Sequence, residues 1–323
     1  MSGTGTIRTG DLPLIGAQLS SAGGFTPVPR RAVNVGAEVV QIFNTNPRIW
    51  RPRVPAPGEI EAFAAGLREH RLRLFFHSTY LINLASPDEE LRRRSSEALA
   101  FALTTGARAG AEAVVTHIGS HRGEAVAEAE RRVVRSISAA VALAEPEQSA
   151  VAGGTPHALA RPVLPALLLE TGTGAGNTLG GRLEELVTLL ALEEAVGLEH
   201  TLRLGICIDT AHLFAAGYPV HEEEGLEGLI ERLRALGLLE RIGLVHLNDS
   251  KTAFGVKRDQ HENLGEGLIG YEGLARVVRH PALAHVPFVL EVPGLDGHGP
   301  DAANLALAKS MRAGADASGR PSR

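Results

Sequence analysis

The sequence alternates along its length between short runs of apolar and β-branched residues and longer segments with helical spacing. Strands joined by helices run parallel, and a parallel sheet needs both faces covered, so this alternation narrows the fold more than any other feature. Strands are predicted at 14–19, 39–43, 73–77, 113–117, 166–170, 203–209, 242–246 and 288–291. Helices are predicted at 59–70, 88–109, 124–144, 183–196, 222–236, 271–279 and 302–311. Leu183, Leu186, Val187 and Leu190 stand at i, i+3, i+4 and i+7, the spacing of a face packed on a sheet. Glu128, Glu130, Arg131, Arg132 and Arg135 read as the solvated face of their helix. The strands are apolar throughout, as in Leu167-Leu168-Leu169, which suits burial on both sides.

About eight such units close most naturally into a single (β/α)8 TIM barrel over residues 13–312, since such barrels take ~250 residues or more. A doubly wound open sheet is the alternative. Its dinucleotide-binding form is disfavoured because no glycine-rich phosphate loop follows a strand in the right place. The small, polar tails 1–12 and 313–323 are expected to be disordered. Segment 145–165, rich in Pro and Gly, reads as a long surface loop on the helix-to-strand side.

The predicted strands share one property at their ends. Strands three to eight finish in His77, His117, Glu170, Asp209, His246 and Glu291. A barrel gathers these ends into one ring at its C-terminal rim, where barrel enzymes carry their active sites. Uncompensated carboxylates there would repel one another and raise each other's pKa, a cost that bound cations remove. His212, three residues past the sixth strand, and Asp259 and His261, on alternate positions of a later loop, bring the candidates to five His, two Asp and two Glu. Cys207 is the single cysteine, which excludes an intrachain disulfide and an all-cysteine zinc site and fits a reducing cytoplasm. Histidine and carboxylate donors without thiolate suit zinc or manganese, and nine ligands at three to four per ion imply two or three metals. Paired metals are a usual device for phosphoryl hydrolysis.

The formal charge of −5, from 32 Lys+Arg against 37 Asp+Glu, does not announce a nucleic-acid binder. No apolar run reaches the ~18 residues of a membrane span, so no membrane partner is expected and the cytoplasm is the default location.

At these residues the sequence resembles the endonuclease IV family of zinc-dependent apurinic/apyrimidinic endonucleases. The resemblance rests on GAQLSSAGG (16–24), HSTYLINLASP (77–87), THIGSH (116–121), LLETGTGAGNTLG (168–180), CIDTAHLFAAGYP (207–219), VHLNDS (245–250), RDQHENLGEGLIG (258–270) and LEVPG (290–294). It implies a three-zinc barrel that cleaves DNA 5′ to an abasic site and leaves a 3′-hydroxyl. His77, His117 and Glu170 would hold the first zinc. Glu170 would bridge to a second held by Asp209, His246 and Glu291, and His212, Asp259 and His261 would bind a third, with manganese the alternative at one position. Family chemistry places a hydroxide between the first two ions for in-line attack, giving Glu170 and Glu291 catalytic roles, while the third ion takes the charge of the leaving oxygen. The partner implied is duplex DNA containing an abasic site, met by a monomer. Arg48, on a loop entering the minor groove, and Tyr80 and Leu81, filling the gap left by the extruded nucleotide, would contact it, while Trp50 is expected to pack beneath its own loop. Three Zn2+ would offset the acidic balance where a phosphate must sit.

Gln18 stands where the family usually has His, and Gly172 and Val292 replace residues usual beside the two glutamates, which predicts weaker polar support around the metals. Two other readings stay open. A sugar isomerase or epimerase on a similar barrel would use Glu170, Asp209, His246 and Glu291 alone. An abasic-DNA binder that has lost turnover would keep the DNA contacts.

Overall fold

The computed structural model describes residues 12–144, 164–198 and 201–314. The predicted tails, apart from residues 12, 313 and 314, and the predicted 145–165 loop, apart from residues 164 and 165, lie outside these residues. Seven strands come first: β1 (Ile15–Leu19), β2 (Val39–Phe43), β3 (Arg73–His77), β4 (Ala113–Thr116), β5 (Ala166–Glu170), β6 (Leu204–Asp209) and β7 (Ile242–His246). After a two-stranded hairpin of β8 (Asp249–Ser250) and β9 (His261–Glu262), β10 (Phe288–Leu290) pairs with both β7 and β1 and closes an eight-stranded parallel barrel. Closure rules out the open doubly wound sheet. The helices are α1 (Val28–Val35), α2 (Glu59–Glu69), α3 (Glu89–Ala109), α4 (Val126–Ala144), α5 (Leu183–Ala195), α6 (Thr210–Ala216), α7 (Glu223–Ala235), α8 (Gly270–Arg279) and α9 (Ala302–Arg312).

The predicted strands and helices stand within about two residues of those observed. Two helices escaped prediction. Helix α1 begins on Pro27-Val28-Pro29 with no side-chain cap, and α6 is only seven residues long. Both lack the sustained periodicity that marks a helix in sequence.

Strand side chains alternate, and here the alternation sorts two cores. Val40, Ile42, Leu74, Phe76, Leu167 and Leu169 join the large cluster shared with the helices. Val39, Phe75, Val115, Leu168, Cys207, Leu244 and Val289 form a separate cluster that fills the barrel. Two residues on, the same inward face carries His77 after Phe75, His117 after Val115, Glu170 after Leu168, Asp209 after Cys207, His246 after Leu244 and Glu291 after Val289. The polar ring is therefore the next layer of an apolar barrel interior. Close strand approach demands glycine at Gly16, where a Cβ would sit 1.7 Å from the Val39 carbonyl oxygen.

One expectation is corrected. Glu130 and Arg132 are not solvated: they are 7% and 6% exposed. Arg132 donates from Nε to the Ala85 carbonyl at 3.0 Å and from Nη1 to Glu124 at 2.8 Å, while Ser136 donates to the Leu84 carbonyl. This polar face of α4 thus clasps the segment after β3 that begins with Tyr80. Charge alone marked it as surface, but a cation whose partner is a distant backbone carbonyl is tolerated in the interior.

Candidate metal centre

β3, β5, β6 and β7 end on His77, Glu170, Asp209 and His246; His117 and Glu291 follow one residue after β4 and β10. All point into the rim. His77 Nε2 lies 3.1 Å and His117 Nδ1 3.5 Å from Glu170 Oε2. The other oxygen, Oε1, lies 3.1 Å from His246 Nδ1. That same nitrogen is 3.2 Å from Glu291 Oε2 and 3.8 Å from Asp209 Oδ2. Two of the ligand groups expected from sequence are thereby assembled, His77–His117–Glu170 and Glu170–Asp209–His246–Glu291, each with donor atoms within 4.8 Å of one another. A third group comprises Asp209, His212 and His261. Asp259 stands between its imidazoles, 3.2 Å from Nε2 of both His212 and His261. All nine expected donors therefore lie in one continuous cluster.

Hydrogen bonds to groups that can only accept set the imidazoles. Nδ1 of His77 donates to the Ser78 carbonyl at 2.8 Å and Nδ1 of His212 to the Thr171 carbonyl at 2.7 Å, so in each ring Nε2 is left as the donor atom for a cation. Gln41 does the same for His246: its Oε1 lies 3.1 Å from Nε2, and its own Nε2 donates to Glu291 at 2.8 Å. Asn248 donates to Asp209 Oδ2 at 2.6 Å and accepts from the Glu291 amide at 2.8 Å. Asp209 also caps α6 by accepting from the His212 amide, which fixes two donors by one local motif.

Sequence reasoning missed Gln41 and Asn248. Gln41 did leave a signal, since it is the one polar residue of the β2 run Val-Val-Gln-Ile-Phe and has inward parity. Asp249 was missed as well. Its buried carboxylate accepts from the amides of Ser250, Gly265, Gly267, Ile269 and Gly270 at 2.8–3.2 Å, gathering the chain after β9 around one side chain.

The electrostatics agree with a cation site. Burial opposes charge on both partners, yet the imidazoles of His117 and His246 hold Glu170 well below the usual carboxylate range. Burial would lower His261, but Asp209 and Asp259 push it up to about 9. His117, with less carboxylate about it, is lowered by burial. Buried Glu170 and Asp209 and half-buried Glu291 thus meet in one ring, with Asp259 at its exposed edge, where shared protons or cations balance them. His261 Nε2 is buried without a well-formed hydrogen bond, although Asp259 is near. An imidazole nitrogen so placed among carboxylates has the chemistry of a metal ligand, and the all-N/O donor set fits zinc. Cys207 is no competitor, because burial pushes its thiol up to about 12.

Around this centre Arg48 is exposed, Tyr80 is 54% exposed and Leu81 is half-buried. Trp50 is likewise half-buried, on the same loop as Arg48. The two loops are tied together: the Pro47 carbonyl accepts from the Thr79 hydroxyl at 2.6 Å and the Tyr80 amide at 3.1 Å. The Tyr80 ring meets Phe43 edge-on at 5.0 Å and lies 5.8 Å from the His117 ring.

The sequence signature of the xylose isomerase-like TIM barrel family matches residues 29–313. A probable endonuclease 4 of Nitratidesulfovibrio vulgaris is 35% identical over 300 residues, covering 93% of this chain and 99% of its own. A probable endonuclease 4 of Chloroflexus aurantiacus is 35% identical over 306 residues, covering 94% and 100%. The crystal structure of endonuclease IV from Thermus thermophilus superposes with a TM-score of 0.77 at 36% identity, covering 94% of this chain and all of that one. A D-tagatose 3-epimerase-like protein shares the fold alone, at 16% identity and a TM-score of 0.60. By these matches the chain belongs to the endonuclease IV family of xylose isomerase-like TIM barrels.

Proposed function

We propose that this hydrolase is a zinc-dependent DNA-repair endonuclease that cleaves the phosphodiester 5′ to an abasic site in duplex DNA and leaves a 3′-hydroxyl. One observation carries the reading: three His/carboxylate groups share Glu170 and Asp209 and so form a single cluster at the C-terminal rim. His77, His117 and Glu170 would hold one ion, Glu170, Asp209, His246 and Glu291 a second, and His212, Asp259 and His261 a third. When bound, such ions supply a nucleophile at neutral pH and Lewis-acid stabilisation of the departing oxygen.

The chain's own residues do the rest. Glu170 and Glu291 act at the reacting centre, with Glu170 presenting one oxygen to each of two donor groups. Gln41 and Asn248 hold Glu291 and Asp209 in place. Arg48 approaches the backbone of the duplex, while Tyr80 and Leu81 occupy the space of an extruded nucleotide. The isomerase reading employs four of the nine donors and leaves five idle, so it explains less of the site.

Metal analysis of the purified protein, joined to incision of a duplex with one tetrahydrofuran abasic analogue, tests the proposal. Close to three zinc ions per chain and a single incision 5′ to the lesion are expected. A fully loaded protein that does not incise would refute it.

A further inference from the structure

A cleft of about 960 Å3 borders the metal centre on the β1–β2 side, walled by Tyr80 and Glu291. Three carboxamides line it: Gln18 on β1, Asn44 just beyond β2, and Asn46, which is exposed and accepts from the Arg48 amide. Gln18 Nε2, Gln18 Oε1 and Asn44 Nδ2 are all buried without a hydrogen-bond partner among the described residues. A buried amide with neither end satisfied costs stability, and Gln18, joined in the lining of one cleft beside a reactive centre by Asn44 with its unpaired nitrogen, is best explained by a ligand that completes both. Gln18 is also in register with Gln41, the amide that binds Glu291, so its inward side chain stands next to the centre's support.

We propose that Gln18, assisted by Asn44, is a specificity-determining residue that hydrogen-bonds the anomeric C1′ hydroxyl of the abasic deoxyribose. The proposal rests on the abasic-endonuclease reading and names the substrate feature which that site selects. The chemistry favours a hydroxyl over the other groups of the substrate. A hydroxyl donates and accepts, matching a carboxamide whose oxygen needs a donor and whose nitrogen needs an acceptor. A phosphate oxygen only accepts, so it would leave Gln18 Oε1 orphaned, and the Glu291 carboxylate in the same wall repels it. An intact nucleotide carries a base in place of this hydroxyl and would leave the amides unpaired. Sites built to bond a substrate hydroxyl reject analogues that lack it.

The test compares incision of two duplexes, one with a natural abasic site generated from uracil by a glycosylase, the other with the tetrahydrofuran analogue, which lacks only that hydroxyl. The metal-loaded wild-type chain is expected to favour the natural site by about tenfold or more in kcat/KM, mainly through KM. Gln18→Leu should bring this ratio close to one with the metal content unaltered. Gln18→His, which keeps a donor and an acceptor, should restore part of the preference. Asn44→Leu, which leaves β1 untouched, should lower the ratio in the same way and serves if Gln18→Leu does not fold. Equal kcat/KM on both duplexes in the wild type, or a preference that survives both leucine variants, overturns the proposal while the endonuclease reading stands. Incision of neither duplex by the loaded wild type overturns both.

Discussion

Glu170 sits with one oxygen 3.1 Å from His77 and the other 3.1 Å from His246, so each half of its carboxylate serves a different donor group. Glu170→Gln keeps the shape and removes the charge. Incision is expected to fall at least about a hundredfold and bound metal to decrease, with the circular dichroism of the barrel retained. Activity near wild type would remove Glu170 from the centre. Gln41 tests the layer behind. Gln41→Leu frees the Glu291 carboxylate and the His246 ring, and metal affinity, read by competition with a chromophoric chelator, should weaken by about 10–100-fold. An unchanged affinity would show that the His246 and Glu291 geometry is set without this amide. Six of the donors were legible in sequence because each stands at the end of an apolar strand with inward parity, while His212, Asp259 and His261 were read from their spacing just beyond a strand and on a loop. Gln41 and Asn248 were not read because their partners lie far along the chain, Gln41 meeting Glu291 and Asn248 meeting Asp209 only once the barrel has formed, and Asp249 was not read because its partners are backbone amides, which carry no side-chain signature.

Elements carry the loops to the site through single buried carboxylates. Asp249, at the start of the short hairpin, accepts five backbone amides, one from neighbouring Ser250 and four from the chain that leads into the first residue of α8. Asp249→Asn turns an acceptor into a donor facing those amides, and a loss of about 2–3 kcal/mol in urea unfolding is expected, together with loss of metal from the group containing His261. Stability within a few tenths of wild type would contradict that account. Glu59, in the first turn of α2, plays the same part for the loop of Arg48: it binds Arg53 and accepts the amides of Phe25 and Ala56. The Arg53 hydrogen bonds hold its pKa at about 2 against an ordinary 4.5. A depressed carboxylate pKa contributes stability above the unfolded value, and this is lost as pH falls from about 4.5 toward 2. Arg53 is 50% exposed, so solvent screening limits the contribution to about 1 kcal/mol. Unfolding of wild type and Glu59→Gln at pH 7 and pH 3 should show the gap between them closing in acid; a gap that does not change would exclude the ionised carboxylate as its source. The strands and long helices were legible because period-2 and period-3.6 patterns are local. Helix α6 was not, since its position depends on the Asp209 cap and on packing rather than on its seven residues, and the buried face of α4 was hidden because charge looks the same in sequence whether or not it is solvated.

At the scale of the whole molecule the formal charge of −5 is unevenly placed. Glu222, Glu223, Glu224, Glu227 and Glu231 gather on and just before α7. The exposed cations Arg48, Arg51, Arg122, Lys257 and Arg258 stand on rim loops after β2, β4 and β7. Binding of a duplex to this rim exchanges condensed counterions chiefly for these cations, since Arg53, Arg182 and Lys251 on the neighbouring loops are paired with Glu59, Glu184 and Glu262, plus the charge of the metals. Anisotropy titrations on an undamaged duplex should therefore give a slope of log K against log salt to which the five side chains contribute about −4.5, at ~0.9 per phosphate contact, with the metal-loaded protein steeper than the chelated one. Arg48→Ala should flatten it by about one, and chelation of the metals should weaken binding throughout the salt range. A slope twice as steep would place the duplex on cations elsewhere on the molecule, and a slope indifferent to Arg48 would remove that loop from the interface. An acidic protein can hold DNA under these conditions because part of its cationic charge, Arg48, Arg51, Arg122, Lys257 and Arg258 together with the bound metals, lies on the face where the strands end.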